Sequence, residues 1–410
     1  MKKTIEILAI SVICAACTAN QEVVLSVTNP SSFDRIAEIV EIPVDELNLS
    51  VKEGITIKES TGKIIPYQFT YDRKLIFLAT VKASSNTTYT ISSGLEWKAD
   101  TIVCGAYYKE RLDDIAWEND KMAYRAYGPA LQKSGEKAFG YDILTKSVSY
   151  PVLKERYRMD LDKNARNQIK KYRESGQKEK ADSLALAISY HIDHGNGMDC
   201  YNVGPTLGGG TAALLSDSAI IYPYCYTNYK ILDNGPLRFT VELNYPQFQY
   251  GKDTAVVETR LIQLDAGSYL NKTIVEYKHL TISSPLGVGI VLHPQNPDGA
   301  TYNKAESYIA YADSTNNTKI GNGVIYVGAV FPSQLEECGI KHFTEKEIAL
   351  RGGALGHVMG ITQYNPGDKF EYYWGAAWSK SSFENMKDWE YYLKNSRIKL
   401  NEPLIVTLNN

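Results

Sequence analysis

The sequence predicts a mainly β protein built from two units. Apolar and polar residues alternate over long runs, for example in VVETRLIQLDAGSYLNKTIVEYKHL, and this is the pattern of half-buried strands in antiparallel sheets. Gly, Asn-Gly and Asp-Gly turns separate the runs, and the 30 Tyr residues, against 10 Phe and 5 Trp, suit strand surfaces. The sequence contains no internal repeat of constant period, which favours a sandwich of extended sheets over a propeller or a barrel.

The first residues have the features of a bacterial lipoprotein signal. Lys2 and Lys3 precede the apolar run IEILAISVICAAC, which is too short to span a membrane. The run ends in Ala-Ala-Cys, which is typical of the cleavage box in which Cys17 becomes the lipidated first residue. We therefore predict a signal peptide over residues 1–17 and a protein of the cell envelope, lipid-anchored in the periplasm or at the outer-membrane surface. Plain secretion is the alternative.

Residues 22–98 are predicted to form a small N-terminal β-sandwich. Short strand-like runs follow one another in this segment, as in VVLSVTNPSS, AEIVEIPV and ITIKESTGK, and turn residues separate them. The segment has about the length of a small sandwich domain.

Residues 101–410 are predicted to form the second unit, a large antiparallel β-sandwich with one helical excursion. The excursion covers residues 159–189, which are rich in Lys, Glu and Ala and carry apolar residues at helical spacing. Gly176 is expected to break it. Its charges are expected to form a solvated face, and because it leads directly into Tyr190 it is alternatively a wall or lid over a cleft.

Composition and motifs exclude several classes of function. A net charge of -3 and a pI near 6.1 provide no basic field for nucleic acid or for an anionic membrane surface. The sequence lacks HExxH, GxSxG and a glycine loop that ends in Gly-Lys-Ser/Thr. The cysteines at positions 104, 200, 225 and 338 lack the CxxC spacing of zinc sites and are predicted to be buried thiols. We predict no cofactor, with a divalent metal as the alternative.

The segment YHIDHGNGMDCYNVGPTLGGGT, which begins at Tyr190, is the densest group of polar residues in the chain. If its glycines form a turn, His191 and His194 emerge close together, with Asp193 and Asp199 available to orient them. A histidine beside a carboxylate is a competent general base, and two such histidines are also a competent pair of metal ligands. The alternative is a glycine turn in which the histidines only bind backbone carbonyls.

A second group of candidate residues lies in AWENDKMAYRAYGP, residues 116–129. Arg125 stands between Tyr124 and Tyr127, and a cation framed by aromatic rings suits a carboxylated sugar. A structural salt bridge from Arg125 to Glu118 or to Asp120 is the alternative.

A third group lies in EYYWGAAWSK, residues 371–380. Trp374 and Trp378 stand near small residues that would let a sugar ring approach their faces, although packing in the core explains them equally. His293 and His357, each beside a turn residue, are weaker candidates.

Five segments taken together resemble the family known as domain of unknown function 4861: WENDKMAYRAYGP, YHIDHGNGMDCYNVGPTLGGG, ILDNGPLRF, LDAGSYLNK and WGAAWSK. The resemblance covers about residues 23–400. It implies a protein of Bacteroidota that degrade pectin and other uronic-acid glycans. It also implies a β-supersandwich like that of galactose mutarotases and several polysaccharide lyases. It supplies no established catalytic residues.

The enzyme hypothesis is a glycan lyase acting on a uronic-acid glycan. β-Elimination needs a cation at the carboxylate, a base for the proton alpha to it, and an acid for the leaving oxygen. Arg125 is the predicted clamp for the carboxylate, and His191 or His194 is the predicted base. Tyr201 or Tyr127 is the predicted acid, and either ring could also contact the sugar.

Two alternatives stand beside the lyase. A glycoside hydrolase needs two facing carboxylates, for which Glu118 with Asp120 or Asp199 is the proposed pairing, and Asp199 is also a candidate to bind substrate. A surface glycan-binding lipoprotein needs no catalytic base and would use Trp374 and Trp378 as its platform. In either case the partner is an oligosaccharide or polysaccharide.

A single cleft would bring these groups together. We expect His191 and His194 at its rim or floor, together with Arg125 and at least one of Trp374 and Trp378, because a carboxylated-sugar site needs a base, a cation and a flat ring within about ten ångströms of one another.

Overall fold

The computed structural model describes residues 22–51, 54–94, 99–217, 219–315 and 321–409. The protein is 44% strand and 17% helix, which confirms the mainly β prediction. The predicted signal peptide and Cys17 lie outside the described residues. Among the helices in the described part of the chain, none has the length and apolarity that a membrane span requires.

The N-terminal strands form a small sandwich of two antiparallel sheets. Leu25, Ile57 and Phe77 are among the fully buried residues between these sheets. The strands are β1 (Glu22–Thr28), β2 (Arg35–Pro43), β3 (Ile55–Glu59), β4 (Ile64–Ile65), β5 (Tyr67–Phe69), β6 (Lys74–Val81) and β7 (Asn86–Ser93).

The middle of the chain contains a four-stranded sheet followed by the helical excursion. The four strands pair in the order β11-β10-β9-β8. The elements are β8 (Cys104–Tyr108), β9 (Asp114–Glu118), β10 (Ala123–Ala126), α1 (Pro129–Lys133), β11 (Asp142–Leu144), α2 (Leu153–Asp160), α3 (Lys163–Glu174) and α4 (Lys178–Ile188).

The excursion has helices where the sequence predicted them, although it starts earlier, at Leu153. The side chain of Asp162 begins α3 by accepting hydrogen bonds from the backbone N–H groups of the residues two and three positions later. Gly176, with a φ of +74°, separates α3 from α4, as expected. The burial of Ile169 and Ala181 packs these two helices against each other.

Two large antiparallel sheets form the rest of the protein. One has the order β13-β12-β19-β24-β23, and the other has the order β14-β15-β17-β18-β25-β22-β21-β20 with β16 beside β17. The main core lies between them. The elements are β12 (Gly209–Ser216), β13 (Ala219–Ile220), β14 (Asn228–Asn234), β15 (Arg238–Asn244), β16 (Phe248–Tyr250), β17 (Asp253–Asp265), β18 (Leu270–Lys278), β19 (Ser284–Leu292), β20 (Ala300–Asn303), β21 (Tyr308–Asp313), β22 (Ile325–Val330), β23 (Glu337–His342), α5 (Glu345–Leu350), β24 (Gly356–Tyr364), β25 (Phe370–Trp378), α6 (Met386–Asn401) and β26 (Ile405–Asn409).

The last strand does not belong to the second unit. β26 pairs along β1, with Val24 opposite Asn409 and Thr28 opposite Ile405. The predicted division at residues 98 and 101 therefore differs from the structure at the C-terminus, where the chain returns and completes the N-terminal sandwich.

Candidate functional site

Arg125 on β10 is surrounded by carboxylates from three other segments. Its Nε lies 2.8 Å from Asp142, its Nη2 lies 3.0 Å from Asp199, and its Nη1 lies 3.5 Å from Asp114. Arg125 is only 5% exposed. The prediction that Arg125 clamps a substrate carboxylate is therefore wrong for this geometry, because the guanidinium is already neutralised. A structural ion pair is present, but with partners other than Glu118 and Asp120.

One guanidinium among three buried carboxylates leaves excess negative charge. Burial raises the pKa of Asp114 to about 7 and the pKa of Asp142 to about 6, while Arg125 lowers both. Tyr127 completes the cluster by accepting a hydrogen bond from Arg125 at 3.2 Å and placing its ring under the guanidinium. It lies against Arg125 rather than in an open cleft.

His191 is joined to this cluster through Asp199. Its Nδ1 lies 2.9 Å from the carbonyl oxygen of Asp199 and 4.0 Å from the Asp199 carboxylate. Because a carbonyl only accepts, Nδ1 donates and Nε2 is left as the acceptor. The His191 side chain is 59% exposed. Asp199 is buried against Arg125, so it orients protein groups and is not a residue that a substrate could reach.

His194 belongs to the turn. Its Nε2 donates to the carbonyl oxygen of Ser189 at 3.0 Å. The carboxylate of Asp193 accepts hydrogen bonds from the backbone N–H groups of Gly195 and Gly197, both at 2.9 Å. These contacts match the interpretation in which the glycines form a turn and the histidine binds a backbone carbonyl.

Glu118 is not free to act as a catalytic acid. Its carboxylate accepts hydrogen bonds from Lys146 at 2.7 Å and from the backbone N–H groups of Val152 and Leu153, and Glu118 is 1% exposed. Its proposed hydrolase partner Asp120 accepts the Gly267 N–H at 2.7 Å. The predicted catalytic role of Glu118 is therefore wrong, because every contact described here is structural.

Trp374 and Trp378 are core residues. Both are 0% exposed; Trp374 stacks on Tyr141 with 4.1 Å between ring centroids, and Trp378 donates from Nε1 to the Asn322 carbonyl. The predicted aromatic platform is therefore wrong, because both faces of β25 are covered. The predicted single cleft loses its tryptophan part, and only the link from His191 to Arg125 through Asp199 is present.

A different histidine forms the sharper catalytic geometry. The Nδ1 of His293 lies 2.5 Å from a carboxylate oxygen of Asp313, whose other oxygen accepts the Thr315 N–H at 2.7 Å. His293 and Asp313 are 7% and 2% exposed. This arrangement fixes the imidazole and leaves Nε2 as the working nitrogen.

Tyr201 stands beside His293. The two rings meet edge to face with 6.0 Å between centroids. Tyr201 is 5% exposed, and within the described part of the chain its hydroxyl has no hydrogen-bond partner. Burial raises its pKa well above the ordinary value, so the hydroxyl stays protonated. A buried hydroxyl without a partner is rare and marks a place where a ligand could supply one.

Backbone strain lies at the same place. Thr315 has a φ of +54°, which β-branched residues rarely adopt, and its buried Oγ1 finds no partner among the described residues. Strained residues of this kind cluster at functional sites.

Cys200 lies between the two clusters. Burial raises the pKa of its thiol, as do the charges of Asp199, Asp313 and Asp142, while Lys380 lowers it. Lys380 lies 3.5 Å from Asp193 and over the ring of Trp378, and its side chain is 42% exposed. The four cysteines of the described residues are free thiols, as predicted. In the same residues no group of three or more potential ligands is arranged to hold a metal ion.

Comparison with known proteins places this geometry in a family. The family described as "Domain of unknown function (DUF4861)" matches residues 27–406. The chain belongs to the DUF4861 family. This confirms the resemblance found in the sequence.

One relative and two solved structures are similar to the DUF4861 chain. "Uncharacterized protein P7" of Formosa agariphila is 26% identical over 406 residues, which cover 94% of this chain and 93% of that protein. A protein in the glycosyl hydrolase family 38 from Enterococcus faecalis matches with a TM-score of 0.45 at 8% identity, over 95% of this chain and 47% of its own. An alpha-mannosidase from the same species gives a TM-score of 0.41 at 8% identity, over 95% and 46%. The DUF4861 chain spans about half the length of these two structures, and neither value supports an inference about it.

Two residues of the DUF4861 site escaped full recognition in the sequence. His293 ends the strand run before HPQNPDG, but its partner Asp313 lies 20 positions further on, across the β20–β21 hairpin. Lys380 closes the WGAAWSK segment, where the tryptophans were the expected ligand-binding residues. Its exposure beside Trp378 depends on packing that sequence spacing does not report.

Proposed function

We propose that this DUF4861 protein is a polysaccharide lyase that cleaves uronic-acid glycans by β-elimination. The observation that carries the proposal is the His293–Asp313 pair beside the unpartnered hydroxyl of Tyr201. An oriented base and a protonated hydroxyl on one spot are the two proton-transfer groups that elimination needs.

The reaction balances with these two groups. Nε2 of His293 takes the proton from the carbon alpha to the carboxylate. The electron pair forms a carbon–carbon double bond as the bond from the beta carbon to the glycosidic oxygen breaks. The Tyr201 hydroxyl gives its proton to that oxygen. The raised pKa of Tyr201 suits it to donate a proton and not to remove one.

Lys380 takes the role that the sequence assigned to Arg125. Removing the alpha proton is easier when a cation neutralises the substrate carboxylate. Arg125 is buried among carboxylates, whereas Lys380 is 42% exposed and its charge reaches Cys200, the neighbour of Tyr201. Support for a glycan substrate comes from the family resemblance, which implies proteins of pectin breakdown.

The test uses purified protein and a panel of pectic and other uronic-acid oligosaccharides. Absorbance from unsaturated products and the release of reducing ends are followed together. Both should rise for the wild type. His293→Asn and Tyr201→Phe should each lower kcat/KM by about a hundredfold or more, the contribution of a general acid or base.

Matched controls separate chemistry from folding. Tyr277→Phe removes another buried hydroxyl that has no partner among the described residues, and His342→Asn changes an exposed histidine at the end of β23. Both should keep wild-type turnover. Reducing ends without new absorbance would replace the lyase by a hydrolase. Binding without any turnover would leave a glycan-binding protein.

A further inference from the structure

The helical excursion carries a concentration of positive charge that the rest of the chain lacks. Residues 163–180 contain seven Lys and Arg residues and two Glu residues, although the whole chain has a net charge of -3. All seven cations are exposed. The packed pair α3 and α4, residues 163–188, is called the helical hairpin below.

A groove runs along this hairpin and gives the charge a shape. It has a volume of about 450 Å³, and its floor is formed by Ile169, Ala185 and Ile188. Arg166, Lys170 and Arg173 line one side. They follow the i, i+4, i+7 spacing of one helix face, so their backbone positions are about 6 and 4.5 Å apart along the axis. A row of cations above an apolar floor suits the charged groups and the ring faces of an acidic sugar chain.

Carboxylates inside the groove cancel only part of this charge. Asp160 binds Arg166 at 2.9 Å and Arg111 at 3.3 Å, so these groups balance one another. Glu174 lies 3.8 Å from Lys170, a long contact between two exposed side chains. Arg173 makes no ion pair with any described residue, which leaves it and much of the Lys170 charge for a ligand.

The groove ends at the histidine turn. Ser189 lines the groove, its Oγ accepts the N–H of His191 at 3.2 Å, and its carbonyl oxygen accepts from His194 at 3.0 Å. His191 in turn contacts Asp199, which lies two residues before Tyr201. The groove and the candidate catalytic residues are therefore ends of one continuous surface segment.

We propose that the helical hairpin is a subsite for an anionic polysaccharide, and that Lys170 and Arg173 bind the negative groups of sugar residues beyond the cleaved bond. This rests on the proposed lyase function and names its substrate class as a polymer with repeated carboxylate or sulfate groups. It assigns a ligand to charges that would otherwise be only a solvated helix face.

Binding is measured first, because it does not depend on turnover. The probes are a long oligogalacturonide, the same oligosaccharide with its carboxylates methyl-esterified, and a sulfated dextran of similar length. The double variant Lys170→Gln/Arg173→Gln should weaken oligogalacturonide binding by about three- to tenfold, the effect of losing two exposed charge contacts. The ester should bind weakly to both proteins, and wild-type affinity should fall as salt rises.

The control is Lys163→Gln/Lys178→Gln. It removes the same charge from the same hairpin but changes residues that do not line the groove. Equal losses in both double variants would overturn the groove and leave only a diffuse field. Stronger binding of the sulfated dextran than of the oligogalacturonide would identify sulfate as the anion. Binding to vesicles that contain phosphatidylglycerol, without binding to either glycan, would make the hairpin a membrane contact and overturn the proposal.

Turnover separates this proposal from the lyase proposal. On a long substrate the Lys170→Gln/Arg173→Gln variant should show a raised KM and an unchanged kcat, while on the shortest cleaved oligosaccharide both constants should match the wild type. An active enzyme whose two variants have wild-type constants on every length would overturn the subsite alone. An enzyme with no lyase activity that still binds oligogalacturonide through Lys170 and Arg173 would overturn the lyase alone.

Discussion

At the scale of single residues, Asp114 makes folding depend on pH. Burial raises its pKa to about 7 from 3.8. The folded state therefore holds this proton more tightly than the unfolded state, so the contribution to the free energy of unfolding is complete below about pH 4 and is lost as pH rises through about 7. Asp142, with its pKa raised to about 6, acts in the same direction.

We expect the free energy of unfolding to fall by roughly 2 kcal/mol between about pH 5.5 and pH 8 through Asp114. Asp114→Asn should flatten this slope, whereas Asp298→Asn, at an exposed position, should not. Urea unfolding at several pH values is the measurement. A wild-type slope retained in Asp114→Asn would assign the titration to another group.

Residue types were easier to predict than residue environments. The motif around Tyr201 drew attention to the correct segment because polar groups are dense there. Arg125 was expected to be free because its partners Asp142 and Asp199 lie 17 and 74 positions away, where no local spacing shows them. Trp374 was expected to face a ligand because alternation along one strand does not reveal whether the second face is also covered.

At the scale of elements, a β-strand residue holds the start of the helical excursion. Glu118 on β9 accepts the N–H groups of Val152 and Leu153 at the beginning of α2. Its other partner is Lys146, which is also buried and donates to two carbonyl oxygens as well. Removing one member of a buried ion pair leaves the other charge without compensation.

Glu118→Gln should therefore lower the free energy of unfolding by about 3 to 5 kcal/mol. Hydrogen exchange should increase first at the N–H groups of α2. Glu155→Gln is the control, since the Glu155–Arg158 pair is exposed and should contribute less than about 1 kcal/mol. A Glu118→Gln variant of wild-type stability that had lost turnover would restore the catalytic role first assigned to this residue.

The excursion itself could be predicted, but its start could not. Lys, Glu and Ala at helical spacing indicated α3 and α4, and Gly176 marked their separation. The first helix begins at Leu153, six residues before the predicted start at position 159, because Glu118 supplies its missing acceptors from a distant strand. A helix whose first N–H groups are bound by a tertiary contact lacks the local capping residue that a sequence pattern would reveal.

At the scale of the whole molecule, two units were predicted and two are present, but the chain crosses between them twice. β26 returns to β1, and Arg35 on β2 donates to the Glu402 carbonyl at 2.8 Å. The run IVTL has the alternation of any exposed edge strand, so its sequence does not indicate which sheet it joins. That choice depends on where α6 delivers the chain, which is a property of the complete fold.

One buried side chain holds the two units together. The Oε1 of Gln68 on β5 accepts the N–H groups of Leu237 and Arg238, both at 2.8 Å, and its Nε2 donates to the Arg238 carbonyl. Glu41 reinforces the junction by binding Arg238 at 2.7 Å. Since Gln68 is 7% exposed, water cannot easily replace these bonds.

Gln68→Met keeps the length of the side chain but leaves two backbone N–H groups of β15 and its preceding turn without an acceptor. Each buried unpaired group costs about 1 to 3 kcal/mol, and the loss falls on the junction between the units rather than inside either core. We expect the wild type to unfold in one calorimetric transition, and the variant to show two, with the N-terminal sandwich melting first. Gln249→Met, at an exposed position, should keep the single transition. Two transitions already present in the wild type would mean that the units fold independently and that Gln68 only orients them, because cooperative unfolding requires coupling between the units that is comparable with their own stability.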